Sequence, residues 1–221
     1  MGKTLHAQDV LWRFPGQQRA LFGFADLAVP AGGSLGIRGP SGAGKTTLFH
    51  CLTGIAVPGS GRIRWDDTDL CALRADERDA WRHRNLGLIF QDFHLVDGLS
   101  ALDNVLLPVH FDRWRPDGTM RQRAAGLLDA TGIDCPKRDV ALLSRGERQR
   151  VAFARALLFE PGVVIADEPT ASLDPDHRAR IGDLLVDLAR TRGTTLIVVS
   201  HDHELLDRLD RCMTLEDGTL Q

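Results

Sequence analysis

The stretch Gly39-Pro40-Ser41-Gly42-Ala43-Gly44-Lys45-Thr46-Thr47 constrains this chain more than any other. It fits G-x-x-x-x-G-K-[ST] and adds further glycines and a second hydroxyl to that template. Glycines at 39, 42 and 44 let backbone N–H groups curl inward around phosphate oxygens at the start of a helix, where the helix dipole already favours anions. Lys45 supplies a point charge for the β- and γ-phosphates, and the Thr46 hydroxyl can enter a Mg²⁺ shell. Ser34 to Arg38 reads as a short strand leading in, and Thr46 to Leu52 as the first turns of a helix. The plainer reading, a glycine-rich turn capping an unrelated helix, gives way to the match in that strand–loop–helix setting.

With 221 residues the chain suffices for one well-packed α/β domain carrying an inserted subdomain. A formal net charge of −3 gives no reason to expect nucleic-acid binding. Cys51, Cys71, Cys135 and Cys212 lie far apart without a C-x-x-C pair, so neither a zinc site nor a disulfide framework is expected, and a reducing cytosol suits them. Met1 to His6 lacks the apolar core of a signal peptide, and no segment approaches the ~18 apolar residues of a membrane span. Work at a membrane would then require a partner that crosses it.

Asp9 to Phe14 alternates as a strand does, with Trp12 and Phe14 on one face, and Pro15-Gly16 turns the chain toward a second strand over Ala20 to Leu27. From spacing alone Phe14 is an ordinary sheet residue rather than a platform for a purine. Pro58-Gly59-Ser60-Gly61 precedes a strand at Arg62 to Trp65, Asp76 to Arg84 is polar and helical, and the apolar strand Leu86 to Phe90 ends at Gln91. From Asp92 to about Leu142 the period becomes helical, with Leu99, Leu102, Val105 and Leu106 on one face and Leu127, Leu128 and Ile133 on another. The loop Arg113-Trp114-Arg115-Pro116-Asp117-Gly118 interrupts that insertion with solvated charges.

Ser144 and Glu147 stand three apart before the apolar run that follows, which is a capping box, and the helix start it makes is also an anion site. Val163-Val164-Ile165-Ala166 is a continuous apolar strand of the kind buried in a parallel sheet, and it ends on Asp167-Glu168. Two carboxylates there suit a Mg²⁺ role for Asp167, direct or through a bound water, with Glu168 orienting or deprotonating a water. Asp174 caps the next helix with Pro175 at its first position, and Ile181, Leu184, Leu185 and Leu188 form its buried stripe to about Arg190. Thr195 to Val199 is a further core strand, ending at Ser200-His201, and Met213 to Gln221 closes as a hairpin. A histidine at such a strand end is ordinarily structural, yet here it could also reach a γ-phosphate. Strands alternating with helices predict a mostly parallel sheet with the nucleotide at the strands' C-terminal edge.

Taken together and in order, these segments resemble the nucleotide-binding domain of ATP-binding cassette (ABC) proteins over essentially the whole chain. The resemblance implies an α/β fold of the P-loop NTPase type with a mostly parallel core sheet, an antiparallel β subdomain and an inserted helical subdomain. It divides the single domain into a core at 1–91 and 156–221 and a helical part at about 92–155. Gly39 to Thr47 look like the Walker A loop, Asp167 the Walker B aspartate and Glu168 the catalytic glutamate. Gln91 looks like the Q-loop glutamine, Leu143 to Glu147 the signature, Ser172-Leu173-Asp174 the D-loop and His201 the switch histidine. Catalysis then falls to Glu168, His201 and Gln91, and Mg²⁺ to Thr46, Gln91 and Asp167. ATP falls to Phe14 on its adenine and to residues 39–47, with Ser144, Gly146, Glu147 and Asp174 serving the nucleotide across a dimer of two such chains. For Phe14 this reverses the reading from spacing.

The familiar signature is Leu-Ser-Gly-Gly-Gln, and this chain departs from it at Arg145 and Glu147. Ser144 and Gly146 are expected to suffice, with Arg145 pointing aside or adding positive charge near the phosphates. Leu86 to Pro108 and Asp167 to Asp174 are most similar to bacterial lipoprotein-releasing and macrolide-exporter ATPases. That implies separate membrane permease subunits, a docking place in the helical insertion and a peripheral position on the cytoplasmic face. The competing reading is a soluble or regulatory ABC ATPase of cell division, DNA or the ribosome. A small phosphoryl-transfer kinase would leave residues 143–150 and His201 without roles.

Overall fold

The computed structural model describes residues 1–111, 117–171 and 173–221. The first part builds β1 (Leu5–Trp12), β2 (Phe22–Val29), β3 (Ser34–Arg38), α1 (Lys45–Leu52), β4 (Ser60–Trp65), β5 (Thr68–Asp69), α2 (Ala75–Asn85) and β6 (Leu86–Ile89). Three helices follow, α3 (Ala101–Leu106), α4 (Gly118–Ala130) and α5 (Arg145–Ala156). The chain then returns to β7 (Val163–Asp167), α6 (Pro175–Arg192), β8 (Thr195–Val199), α7 (His203–Leu206), β9 (Arg211–Glu216) and β10 (Thr219–Leu220).

The strands join in one ten-stranded sheet of order β5-β4-β1-β2-β10-β9-β3-β8-β7-β6. From β9 to β6 every pairing is parallel, and the helices carry the chain between these strands. Residues 163–167 and 195–199 are buried throughout, as expected of strands covered on both faces. β1, β2, β4 and β5 pair antiparallel. The β9–β10 hairpin joins the two regions, because β10 lies antiparallel to β9 and meets β2 in parallel at Thr219–Gly23.

Registers Ile37–Val199, Asp167–Val199 and Ile89–Ala166 bring the C-terminal ends of β3, β8, β7 and β6 level. The phosphate loop, Glu168, His201 and Gln91 are what follow those ends, so topology alone collects them at one edge. Below that edge Leu48, Phe49, Ile37, Ile165 and Val199 pack in one core, and the fully buried Trp65 donates its indole N–H to the Leu52 carbonyl at 2.9 Å. A separate apolar cluster of Ala101, Val105, Leu128, Val151 and Leu158 holds α3, α4 and α5 together.

Several boundaries differ from the sequence reading. The first strand starts at Leu5 and stops at Trp12, with Asp9 at φ 50° marking an irregularity in its pairing with β4. Phe14 therefore lies past the strand end, 41% exposed, though its ring stays edge-on to Trp12 at 6.1 Å. The second strand begins at Phe22 rather than Ala20. Helix after Gln91 begins only at Ala101, because Ser100 caps it by accepting from the Asp103 N–H, so Leu99 precedes the helix. In α6 the buried face comprises Ile181, Gly182, Leu185, Val186 and Ala189, with Leu184 and Leu188 only half-buried. The loop at 113–116 and Ser172 lie outside the described residues.

Candidate nucleotide site

β3 delivers the chain into the phosphate loop, and two of its glycines are dictated by space and conformation. Gly39 sits at φ 155°, and a Cβ there would lie 2.1 Å from the Leu215 carbonyl oxygen. Gly44, at φ 99°, would put a Cβ 2.9 Å from Leu21 and against Phe22. Among the described residues no side chain caps α1, which leaves its first N–H groups open to an anion. The buried Lys45 Nζ donates to the carbonyls of Gly39 at 2.8 Å and Pro40 at 3.1 Å. It also stands 3.1 Å from His201 Nε2. An ammonium only donates, so in a hydrogen bond between the two Nε2 is the acceptor.

Opposite the loop, β7 ends on Asp167, which is 3% exposed and accepts the Thr46 hydroxyl at 2.9 Å. Burial pushes the Asp167 carboxyl above its ordinary value, against the pull of Thr46, His50 and Lys45. Glu168 follows at φ 51°, its N–H donating to the Val199 carbonyl at 2.8 Å. Its carboxylate accepts from the Ser200 hydroxyl at 3.3 Å and the His201 N–H at 3.4 Å, and lies 3.5 Å from His201 Nε2. These groups and Gln91 line a cavity of about 490 Å³.

The cavity also takes in Thr170, Arg178, Ser200 and Asp202, which sequence reasoning passed over. Thr170 donates to Asp202 at 2.8 Å and Asp202 receives no motif of its own. The available signals were position: Ser200 and Asp202 flank His201, and Arg178 lies one helical turn after Asp174.

The remaining expected residues stand apart from this cavity. Ser144 accepts from the Glu147 N–H at 3.2 Å while Glu147 accepts from the Ser144 N–H at 2.8 Å, the reciprocal pair that starts α5. Hydrogen bonds from the Ser144 hydroxyl and from its N–H hold the Glu147 carboxyl below its usual value. Asp174 caps α6 through the His177 N–H at 3.1 Å, with His177 Nδ1 2.7 Å from its other oxygen, and both bonds keep its carboxyl low. Arg145 lays its guanidinium over the Phe93 ring at 5.7 Å.

Comparison with known proteins bears on this arrangement. The family described as "ABC transporter" matches residues 24–171. A lipoprotein-releasing system ATP-binding protein, LolD of Idiomarina loihiensis, is 39% identical over 206 residues, 93% of this chain and 90% of its own length. LolD 1 of Rhodopirellula baltica is 42% identical over 196 residues, 88% of this chain and 85% of its own. Among solved structures, the dimeric bacterial ABC transporter cassette MJ0796 superposes with a TM-score of 0.92 at 31% identity, covering 98% of this chain and 96% of its own. The same cassette in a post-hydrolysis state bound to ADP and Pi gives a TM-score of 0.92 at 30% identity, over 98% of this chain and 96% of its own. With the phosphate loop, the acidic strand end and the histidine converging on one cavity of a shared fold, the chain belongs to the ABC transporter family and is an ATP-binding, ATP-hydrolysing cassette.

Proposed function

We propose that two copies of this chain close on two MgATP and thereby drive separate membrane permease subunits, in a complex that releases lipoproteins or transmits force across the membrane. The observation that carries the chemistry is the Thr46–Asp167 hydrogen bond at 2.9 Å beside Lys45. It places two hard oxygen donors next to a cation at the phosphate cradle, and such a pair fits Mg²⁺. Thr46 and Asp167 would hold that ion, with Gln91 completing the set, and the ion supplies charge neutralisation across the phosphates.

Lys45 and the loop N–H groups bind the β- and γ-phosphates. The nucleoside end has room in a second cavity of about 400 Å³, lined by Pro40, Ser41 and Ala43 of the loop and by the turn that follows Phe14. Phe14 would stack on the base. Glu168 accepts a proton as water oxygen bonds to the γ-phosphorus, the bond to the bridging oxygen breaks, and ADP and inorganic phosphate result. His201, turned toward Lys45 and Glu168, orients the γ-phosphate. Ser144, Gly146 and Glu147 of one copy, with Asp174, face the nucleotide held by the other, in keeping with their separation from the chain's own cavity.

Among the described residues no helix is long and apolar enough to cross a membrane. A groove of about 350 Å³ between β6 and the helical insertion, lined by Phe90, Leu107, Phe111 and Phe159 beside Arg84 and Arg155, suits a cytoplasmic helix of a membrane subunit. The chain would thus sit on the cytoplasmic face through its partner. The test is a tagged Glu168→Gln variant expressed in the native cell and purified from gently solubilised membranes with ATP. It should bind MgATP, turn over at least about 100-fold more slowly than wild type, and bring down a multi-span membrane protein. Near-normal turnover would remove Glu168 from its role, and recovery with ribosomes or nucleic acid would overturn the transporter reading.

A further inference from the structure

Phe93 at φ 61°, His94 at φ 48° and Glu168 at φ 51° hold left-handed backbone that large side chains seldom adopt. Glu168 is further restricted by the proline that follows it. Such conformations persist only where the surroundings over-determine them. At both places a restraint comes from the same helix, α5.

Arg155, in the last turn of α5, donates from Nη1 to the His94 carbonyl at 2.6 Å and from Nη2 to the Phe93 carbonyl at 2.5 Å. Burial lowers its pKa, and among the described residues the two loop carbonyls are what this guanidinium bonds. Gln149, 2% exposed, donates its amide to the carbonyls of Glu168 at 3.4 Å and of Pro169. Among the described residues no donor reaches its buried Oε1, an arrangement that packing alone would not favour. The start of α5 adds a third hold, since Arg145 covers the ring of Phe93.

We propose that Gln149 and Arg155 are positioning residues for ATP hydrolysis, fixing from one rigid helix the strained turns that aim Glu168 and Gln91 into the cavity. The proposal rests on the roles given above to Glu168 and Gln91. Because α5 begins at Ser144, the segment read as facing the partner's nucleotide, a shift of this helix on pairing moves both turns together. Each cassette's hydrolytic groups then align only when its helix is seated.

The experiment compares ATP turnover, ATP affinity and amide hydrogen exchange in the full chain for Gln149→Leu, Arg155→Met and Arg155→Lys, with Glu168→Gln as reference. Gln149→Leu and Arg155→Met should lower kcat by about 10- to 100-fold while KM for ATP stays within about threefold. Arg155→Lys, which keeps the charge and one donor, should fall between. Exchange should quicken in residues 167–171 for Gln149→Leu and in 90–96 for the Arg155 variants, and not elsewhere. If Arg155→Met does not fold, Arg155→Lys and Gln149→Leu decide. Folded variants with turnover within about twofold of wild type, or kcat loss accompanied by faster exchange throughout the chain, would overturn the proposal. Slow turnover in Glu168→Gln beside normal turnover in Gln149→Leu and Arg155→Lys overturns this proposal alone. Normal turnover in Glu168→Gln overturns the reading beneath it.

Discussion

Replacing Asp167 with asparagine should stabilise the chain when nucleotide is absent and disable it when nucleotide is present. The carboxyl is 3% exposed, and burial raises its pKa despite the Thr46 hydroxyl, His50 and Lys45. A raised value means that the ionised group is worse placed in the folded chain than in the unfolded one. Its effect on folding is therefore nil below the unfolded value of 3.8 and becomes a growing loss as pH climbs through the folded value. Asparagine keeps an oxygen to accept from Thr46 Oγ1 and carries no charge.

Removing an unfavourable buried charge while its hydrogen bond is kept is a single-substitution effect of about 1–2 kcal/mol. In a chain of this size each kcal/mol moves the midpoint by about 2–4 °C, so Asp167→Asn should melt about 2–8 °C higher. Thermal unfolding followed by circular dichroism, in chelator without nucleotide, reads this directly. The gap should narrow as pH falls from neutral through the raised value of the wild-type carboxyl, and close toward the unfolded 3.8. MgATP at 100 times its dissociation constant adds about 2.7 kcal/mol to the wild type. The variant, lacking a metal ligand, should gain less, so the order of melting inverts. A variant that melts below wild type without nucleotide would show that attraction to Lys45 and His50 outweighs burial. An order unchanged by MgATP would remove Asp167 from the metal site.

Two further outcomes follow from the same geometry. Gly39→Ala places a methyl 2.1 Å from the Leu215 carbonyl oxygen, a backbone atom held in the sheet, and should abolish the thermal shift that MgATP gives the wild type. A normal shift would mean that the loop has another way to close. Cys51 is 1% exposed and its thiol is pushed up to about 12 by burial, so a disulfide reagent at neutral pH should modify the exposed Cys135 quickly and Cys51 only after unfolding. Rapid labelling of Cys51 in the folded chain would refute the packing of α1.

The parallel core was legible because Val163 to Ala166 and Thr195 to Val199 are continuous apolar runs, buried on both faces as written. The site was legible because each strand end carries its chemistry in the next residue or two, as at Asp167-Glu168 and Ser200-His201. What escaped depends on partners distant in sequence. Nothing local to Arg155 or Gln149 announces that they hold carbonyls at 93–94 and 168–169. The true start of the first strand was hidden because Leu5 and Ala7 gain their meaning from pairing with Trp65 and Ile63. Leu99 carried a helical spacing that Ser100 overrides by capping the helix after it.

The close approach of Gly39 to Leu215 also sets an order of events during synthesis. The strand that leads into the phosphate loop pairs on one side with β9, and the loop's first glycine rests on the backbone of that late strand. When a ribosome has made the cradle's own sequence through Thr47, the surface the cradle leans on at Leu215 is still untranslated. Nascent chains halted before residue 215 would carry the whole ATP-binding motif and lack its support. The capacity to grip nucleotide thus waits for β9, by which time the helical segment at α3 to α5 and the histidine after β8 have already been made.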